Sequence, residues 1–303
     1  DASFNKFAGG VNTGVDTIQR KLNSVSLNAM IQNINSAADG LNSLNDPGMK
    51  LSTNMYDLQA ITGVAGDKLK EIEGYARQNA KTFGGDASAS AESYKLILSQ
   101  LSPEIAKMPK ALQAMGKEVS VTSKLMGGDT VAATNVLTTA MNQYQIALDD
   151  PIKASKEMAR MNNVMAAAAK EGSAELPQIA QALEQSGLAA KTAGVSFEET
   201  NAFIQVLDKN GKKGAEGGVA LRNVMATLAQ GRFLPKDTKA ELAAAGVNID
   251  TLTDSSLSLS DRLKPLKGIM SDQALVTKLF GKENSNAAIA MISNTEEIYL
   301  FKR

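Results

Sequence analysis

Histidine, cysteine and tryptophan are absent from the 303-residue sequence, and aromatic residues make up only 4% of it. Without cysteine the chain can form neither disulfide bonds nor thiolate zinc sites. Without histidine it can form neither a Ser-His-Asp triad nor an imidazole–metal bond. Catalysis by carboxylates alone and by serine–lysine dyads stays open, because all of those residue types are present.

An excess of charge of either sign is also lacking, since 32 Lys and Arg residues balance 32 Asp and Glu residues. The balance gives no overall attraction to nucleic acid or to an anionic membrane. No apolar run approaches the ~20 residues that span a bilayer. The first residues show no basic-then-apolar signal segment. Because residue 1 is Asp and the sequence stops without a terminating signal, we expect the chain to be a fragment of a longer protein.

The residues that are present favour helices. Hydrophobic residues make up 43% of the chain, including 13 Met, and they recur at intervals of three and four. No alternating strand pattern of useful length appears. We therefore predict an all-α fold, a compact helical bundle of short helices with an N-terminal amphipathic, coiled-coil-like helix.

Three regions follow from the changes in this pattern. Residues 1–48 read as the amphipathic helix and a turn, residues 49–230 as a helical core, and residues 231–303 as a region of short helices. The stripe from Ile18 to Leu44 fits two interpretations, a coiled-coil strand that pairs with copies of itself or a helix that lies on the following domain.

The core contains two weak pseudo-repeats, which begin at Val119 and at Val195. They predict two related helical units packed against each other. Because only two copies are visible, we do not expect a solenoid.

Glycine and proline divide the core into segments. We expect interruptions at Gly84, Pro103, Gly116, Gly127, Pro151, Gly172, Gly194 and Gly211. Further helices are expected to begin at Ser88 or Ser90, at Ser258 or Ser260, and at Ser271. The methionine face from Met158 to Met165 is either an adaptable partner groove or core, and core is the commoner use of such a stripe.

A capping box marks the start of one helix in the centre of the chain. The Ser196 hydroxyl can accept from the amide of Glu199, and the Glu199 carboxylate can reach back to the amide of Ser196. Glu198 and Glu199 are adjacent and diverge on a helix, so we assign them to the helix start and not to acid–base catalysis.

The run from Gly211 to Gly218 carries Lys212 and Lys213 and so has the composition of a phosphate-binding loop. A Walker loop needs Ser or Thr after the lysine and a strand before the loop, and neither is present. We interpret the run as a tight turn with close helix packing. The predicted structural caps and turns are Gly194, Ser196, Glu199, Gly211, Gly217 and Gly218, and we expect no catalytic, cofactor-binding or metal-binding residues.

Three stretches of the chain resemble one family in the same order along the sequence. They are LQAITGVAGDKLKEIEGYARQNAKTFGGDASASAESY (Leu58–Tyr94), GVSFEETNAFIQVLDKNGKKGAEGGVALRNVMATLAQ (Gly194–Gln230) and LVTKLFGKENSNAAIAMI (Leu275–Ile292). Together they resemble the core region of phage tail tape measure proteins.

The resemblance implies a structural protein of the virion tail that occupies the lumen of the tail tube, helps set tail length and leaves during genome ejection. It implies virion assembly in the host cytoplasm. The implied partners are the tail tube protein, tail tip or baseplate proteins, tail assembly chaperones and further copies of the chain, with host membrane or DNA contacts through other parts of the full-length protein.

Two other functions stay open from the residues alone. One is a helical adaptor or scaffold module with no connection to a tail. The other is a segment of a wall-degrading tail enzyme whose catalytic domain lies elsewhere.

Overall fold

The computed structural model describes residues 47–301, with the side chains of residues 48–298. These residues form fifteen α-helices and three 3₁₀ segments and contain no strand, so the predicted all-α class is confirmed. The predicted N-terminal amphipathic helix lies outside the described residues.

Nine helices of residues 47–230 alternate between two layers. The first layer holds α1 (Pro47–Thr62), α3 (Ala87–Gln100), α5 (Thr130–Gln143), α7 (Leu176–Thr192) and α9 (Gly214–Gln230). The second layer holds α2 (Asp67–Phe83), α4 (Pro109–Leu125), α6 (Pro151–Glu171) and α8 (Phe197–Lys209), with a 3₁₀ segment at Pro103–Lys107 before α4. Each helix packs on the next helix of its own layer and on its neighbour in sequence.

Successive helix pairs of this two-layer array bury apolar faces against their neighbours although no sequence motif repeats. The two pseudo-repeats are not structurally equivalent. Val119 lies inside α4, whereas Val195 lies in the turn before α8. Seven of the eight expected interruptions lie at helix ends or between helices, and the exception is Gly116.

The remaining helices close one end of the array. They are α10 (Lys236–Ala244), α11 (Ile249–Thr253), α12 (Leu259–Leu263), α13 (Gln273–Phe280), α14 (Ser285–Ser293) and α15 (Thr295–Phe301), with 3₁₀ segments at Gly231–Phe233 and Lys264–Ile269. Helices α11, α13 and α14 contact α9, and α14 and α15 contact α8. The buried residues of the array and of this closing segment form one hydrophobic cluster, from Leu51 to Ile298.

Of the two predicted boundaries between regions, one lies inside a helix and the other lies at a helix end. The boundary between residues 48 and 49 lies in the first described turn of α1. The boundary after residue 230 coincides with the end of α9.

Aspartates begin two of the helices for which serines were expected. Asp86 accepts from the amide of Ser88 at 2.8 Å and begins α3, and Asp272 accepts from the amide of Leu275 at 3.0 Å and begins α13. Ser258 begins α12, as one of the two expected alternatives, by accepting from the amide of Asp261 at 3.1 Å. In each case the cap is the residue directly before the first helical residue.

The methionine face is core. Met158, Met161 and Met165 are all fully buried, which decides between core and an exposed groove.

The sequence indicated that Gly116 interrupts a helix, and this prediction is wrong. Helix α4 runs through Gly116 from Pro109 to Leu125. A Cβ added at Gly116 would overlap the ring of Tyr94, which is itself fully buried. Glycine is required here because the ring of Tyr94 lies against the backbone of α4.

We expect Gly116→Ala to lower the free energy of unfolding by about 1–3 kcal/mol, because the added methyl group displaces the buried ring. Urea unfolding followed by circular dichroism measures the change. Gly74→Ala is the matched control, because Gly74 lies inside α2 with open space around it. That variant should raise stability by roughly 0.5–1 kcal/mol through better helix propensity. Equal effects of the two substitutions would contradict the close contact with Tyr94.

Candidate functional site

Helix α8 is the most enclosed helix of the array. Eleven of its 13 residues are buried, and they include Glu199, Asn201, Gln205 and Asp208 beside the apolar residues. The helix is covered by α6, α7 and α9 and by α14 and α15 of the closing segment. Its polar side chains therefore need partners inside the protein.

Gln205 shows how such a partner is supplied. Its side-chain amide accepts from the amide of Ala174 at 2.8 Å and donates to the carbonyl of Ala174 at 2.9 Å. Asp208 accepts from the hydroxyl of Ser173 at 2.6 Å. Both contacts fasten the α6–α7 turn to α8.

The predicted cap at Ser196 is present. Its hydroxyl accepts from the amide of Glu199 at 3.1 Å, and α8 begins at the next residue, Phe197. The two neighbouring glutamates diverge as expected. Glu198 pairs with Arg160 of α6 at the surface, whereas the residue exposure of Glu199 is only 1%.

The Glu199 carboxylate binds the closing segment. Its Oε1 accepts from the backbone amide of Ser260 at 2.6 Å and from the Ser260 hydroxyl at 2.9 Å. The predicted bond from Glu199 back to the amide of Ser196 stays a prediction. The sequence did not indicate Ser260 as the partner of Glu199, because the two residues lie 61 positions apart in the chain.

Arg262 makes a second contact between the same two parts of the chain. Its guanidinium donates to the carbonyl of Ala193 at 2.9 Å, and the residue exposes only 5% of its surface. Burial lowers the pKa of Arg262, and the nearby carboxylates of Glu199 and Asp254 oppose that shift.

Gly194 lies in the same turn with a φ of +73°, and a Cβ there would be 2.9 Å from the carbonyl oxygen of Ser255. A side chain is therefore excluded both by the backbone conformation and by the closing segment.

Tyr144, which the sequence analysis missed, approaches the turn from the end of α5. Its hydroxyl lies 2.6 Å from that of Thr200 and 3.2 Å from the carbonyl oxygens of Val195 and Ser196. Its ring packs edge-on against Phe197 with 5.0 Å between the ring centroids. Burial raises the pKa of Tyr144, so the hydroxyl stays protonated and able to donate. A lone tyrosine at the end of a Thr- and Ala-rich helix is the signal that could have indicated it.

Gly211 forms the predicted turn after α8, with a φ of +90°, and the amide of Lys212 donates to the carbonyl of Leu207 at 2.8 Å. This is the helix end that glycine at this position favours. Gly217 and Gly218 were predicted to lie in this turn, but both lie inside α9. Helix α9 passes so close to α7 that a Cβ on Gly218 would overlap the backbone of Ala182, whereas a Cβ on Gly217 would meet the carbonyl oxygen of Lys212.

The two lysines of the glycine-rich run are engaged by carboxylates. Lys212 pairs with Glu216 at 2.8 Å, and Lys213 lies 3.7 Å from Asp208. The segment before them is the helix α8 and not a strand. The interpretation as a structural turn therefore fits the geometry, and the phosphate-loop alternative does not.

Two concave surfaces are an open groove of about 680 Å³ beside the 3₁₀ segment before α4 and a cavity of about 200 Å³ beside Ser260. Among residues 47–301, no group of three or more acidic residues is placed to hold a metal ion. None of the helices in that part of the chain is long and apolar enough to cross a membrane. The contacts of Glu199 with Ser260 and of Arg262 with Ala193 form a junction between the array and the closing segment. The chemistry that this junction supports is the attachment of the closing segment to the array.

We expect Ser196→Ala to lower the free energy of unfolding by about 1 kcal/mol, because the amide of Glu199 loses its acceptor at the helix start. Urea unfolding midpoints of the variant and the parent protein measure the loss. Ser52→Ala serves as control, because Ser52 is exposed inside α1 and begins no helix. An unchanged midpoint for Ser196→Ala would contradict its role as the cap.

We expect Glu199→Ala to cost about 2–3 kcal/mol, because the amide and hydroxyl of Ser260 lose a charged acceptor in a buried site. Glu198→Ala removes only an exposed ion pair and should cost no more than about 1 kcal/mol. Hydrogen exchange at the amide of Ser260 tests the location of the effect. Faster exchange there in Glu198→Ala and not in Glu199→Ala would contradict the assignment.

The known proteins that this chain matches are described as phage tail or tape measure proteins. Residues 77–281, which are more than half of the chain, match the family model described as "Phage-related minor tail protein". The "Tape measure protein" of Pneumococcus phage Dp-1 is 23% identical over 255 residues, which cover 81% of this chain and 20% of that protein. The "Probable tape measure protein" of Escherichia phage P2 is 24% identical over 259 residues, which cover 82% of this chain and 30% of that protein.

The chain thus spans less than a third of the length of these two curated relatives. No solved structure matches it significantly.

Proposed function

Because the chain belongs to the phage-related minor tail protein family, we propose that it is a segment of a tape measure protein and a structural part of a phage or phage-like tail. The observation that carries the proposal is the family match over residues 77–281. The names of the two tape measure relatives, each aligned over most of this chain, support it further.

A structural role without catalysis fits the chemistry of the junction. Its buried polar groups are engaged in holding helices together, as when Glu199 binds Ser260 and Gln205 binds Ala174. They serve packing, and in our proposal the segment is not an enzyme.

The finer role that we propose is participation in setting tail length, in the lumen of the tail tube, with release during genome delivery. Within such a protein the described residues are not an extended ruler. Residues 47–230 would reach ~280 Å as one continuous helix at ~1.5 Å per residue. Stacked as five helices of one layer at ~8–10 Å between axes, they span only about 40 Å.

The proposed partners are the tail tube protein, tail tip or baseplate proteins, tail assembly chaperones and further copies of the chain. We propose the virion tail as the final location and the host cytoplasm as the place of assembly. Mass spectrometry of purified particles tests membership of the tail. A chain that is expressed in the host but missing from intact tails would favour an adaptor with no tail connection.

Deleting residues 194–211 should abolish assembly or docking and should not shorten the tail in proportion to the missing residues. The deletion removes α8, the most enclosed helix, so the array and the closing segment lose their shared core. Electron micrographs of tails assembled with the deleted protein measure both outcomes.

Gly194→Val is the matched variant that keeps the chain length. Valine is strongly disfavoured at a φ of +73° and would approach the carbonyl oxygen of Ser255, so it should reproduce the assembly defect. A uniform population of proportionally shorter tails from the deletion, with normal tails from Gly194→Val, would show that the segment is an extended ruler.

A further inference from the structure

Phe233 projects from the turn between the array and the closing segment. It is 77% exposed, more than any other large apolar residue among residues 48–298. The turn around it is held on both sides. Leu234 is buried and donates its amide to the carbonyl of Gly231 at 3.1 Å, and a Cβ on Gly231 would overlap the methyl group of Thr253. The ring of Phe233 is therefore presented on a fixed turn.

Three cationic residues, one stacked on this ring and two in the following helix, belong to the same stretch of chain. The Arg232 guanidinium stacks over Phe233 with 4.9 Å to the ring centroid. Lys239 donates to the carbonyl of Arg232 at 2.9 Å, and Lys236 is exposed at the first position of α10.

The acidic residues of α10 are engaged elsewhere. Asp237 and Glu241 both pair with Lys278 of α13, at 2.6 Å and 2.7 Å. Within residues 48–298, none of the three cations Arg232, Lys236 and Lys239 forms an ion pair with a carboxylate. The surface thus combines an exposed ring with three cationic side chains with which no carboxylate of the described residues pairs.

We propose that this surface, the Phe233 knob formed by Arg232, Phe233, Lys236 and Lys239, docks on an acidic segment of another tail protein. Carboxylates on the partner complement the three cations and orient the encounter. An apolar recess on the partner accepts the phenyl ring, since aromatic and arginine side chains are enriched at protein interfaces and among the few residues that dominate their binding energy. The proposal rests on the proposed function, because it places the partner in the tail.

The geometry favours a protein over a nucleic acid or a membrane. Proteins that bind single strands stack successive bases on several rings, whereas here one ring has one face already covered by Arg232. A surface that binds lipid buries an extended apolar face, and a single phenyl ring provides little such area.

Carbodiimide cross-linking of intact wild-type particles tests the proposal, because it joins lysine amines to carboxylates in direct contact with loss of water. Peptide mapping should find Lys236 or Lys239 joined to Asp or Glu of a different tail protein. Lys278 is the internal control, since it must be joined to Asp237 or Glu241 when the reagent works and the fold is intact. With that control present, an absence of cross-links from Lys236 and Lys239 to another protein overturns the proposal, and so do cross-links to a second copy of this chain alone.

Phe233→Ser should lower the yield of those cross-links at least about threefold by removing the apolar anchor. Tyr56→Ser is the matched control, because Tyr56 is 65% exposed on α1, at the other end of the array, and should leave the yield unchanged. Equal yields from the parent and Phe233→Ser would overturn the part of the proposal that concerns the ring. Particles that lack the chain altogether contradict the proposed function and not the docking surface.

Discussion

The need to satisfy a buried carboxylate shapes the junction on which the whole fold depends. A carboxylate as enclosed as that of Glu199 costs several kcal/mol to remove from water unless hydrogen bonds and opposite charge compensate it. Ser260 supplies two hydrogen bonds, and the buried guanidinium of Arg262 contributes positive charge nearby. Both residues belong to the closing segment, so that segment stabilises the end of the array at α8. The same contact joins α12 directly to the start of α8.

Shortage of aromatic residues places a second constraint on the packing. With few large rings to fill space, the helices approach one another closely at small residues. Gly218 brings α9 against Ala182 of α7, and Gly187 of α7 lies so close to α5 that a Cβ built on it would be 2.6 Å from the Cβ of Gln143. Where a ring is buried, as at Tyr94, a glycine makes room for it. These contacts explain why glycines occur inside helices, where they weaken the local helical preference.

What the sequence could predict was mostly local. Ser196 and its acceptor role follow from a spacing of three residues, and the start of α8 was predicted from that spacing alone. The helical class follows from periodicity. The bond between Glu199 and Ser260 joins positions 61 residues apart, and no pattern in either segment predicts that the two residues pair. Gly116 and Gly211 look alike in sequence, but only the distant ring of Tyr94 decides that one of them lies inside a helix. The two-layer array was missed because its regularity lies in the packing of helices and not in repeated residues.

The two-layer arrangement also bears on what such a segment contributes to a protein whose length matters. In a continuous helix, a whole number of turns can be added or removed while the remaining side chains keep their surroundings. In the array each helix is matched to neighbours on several sides, and a change of length in α8 would displace Glu199 from Ser260 and Gln205 from Ala174. The array therefore resists changes of length that an extended helix accepts. Under the proposed function, this segment would stay constant in length, and any variation in reach would belong to other parts of the protein.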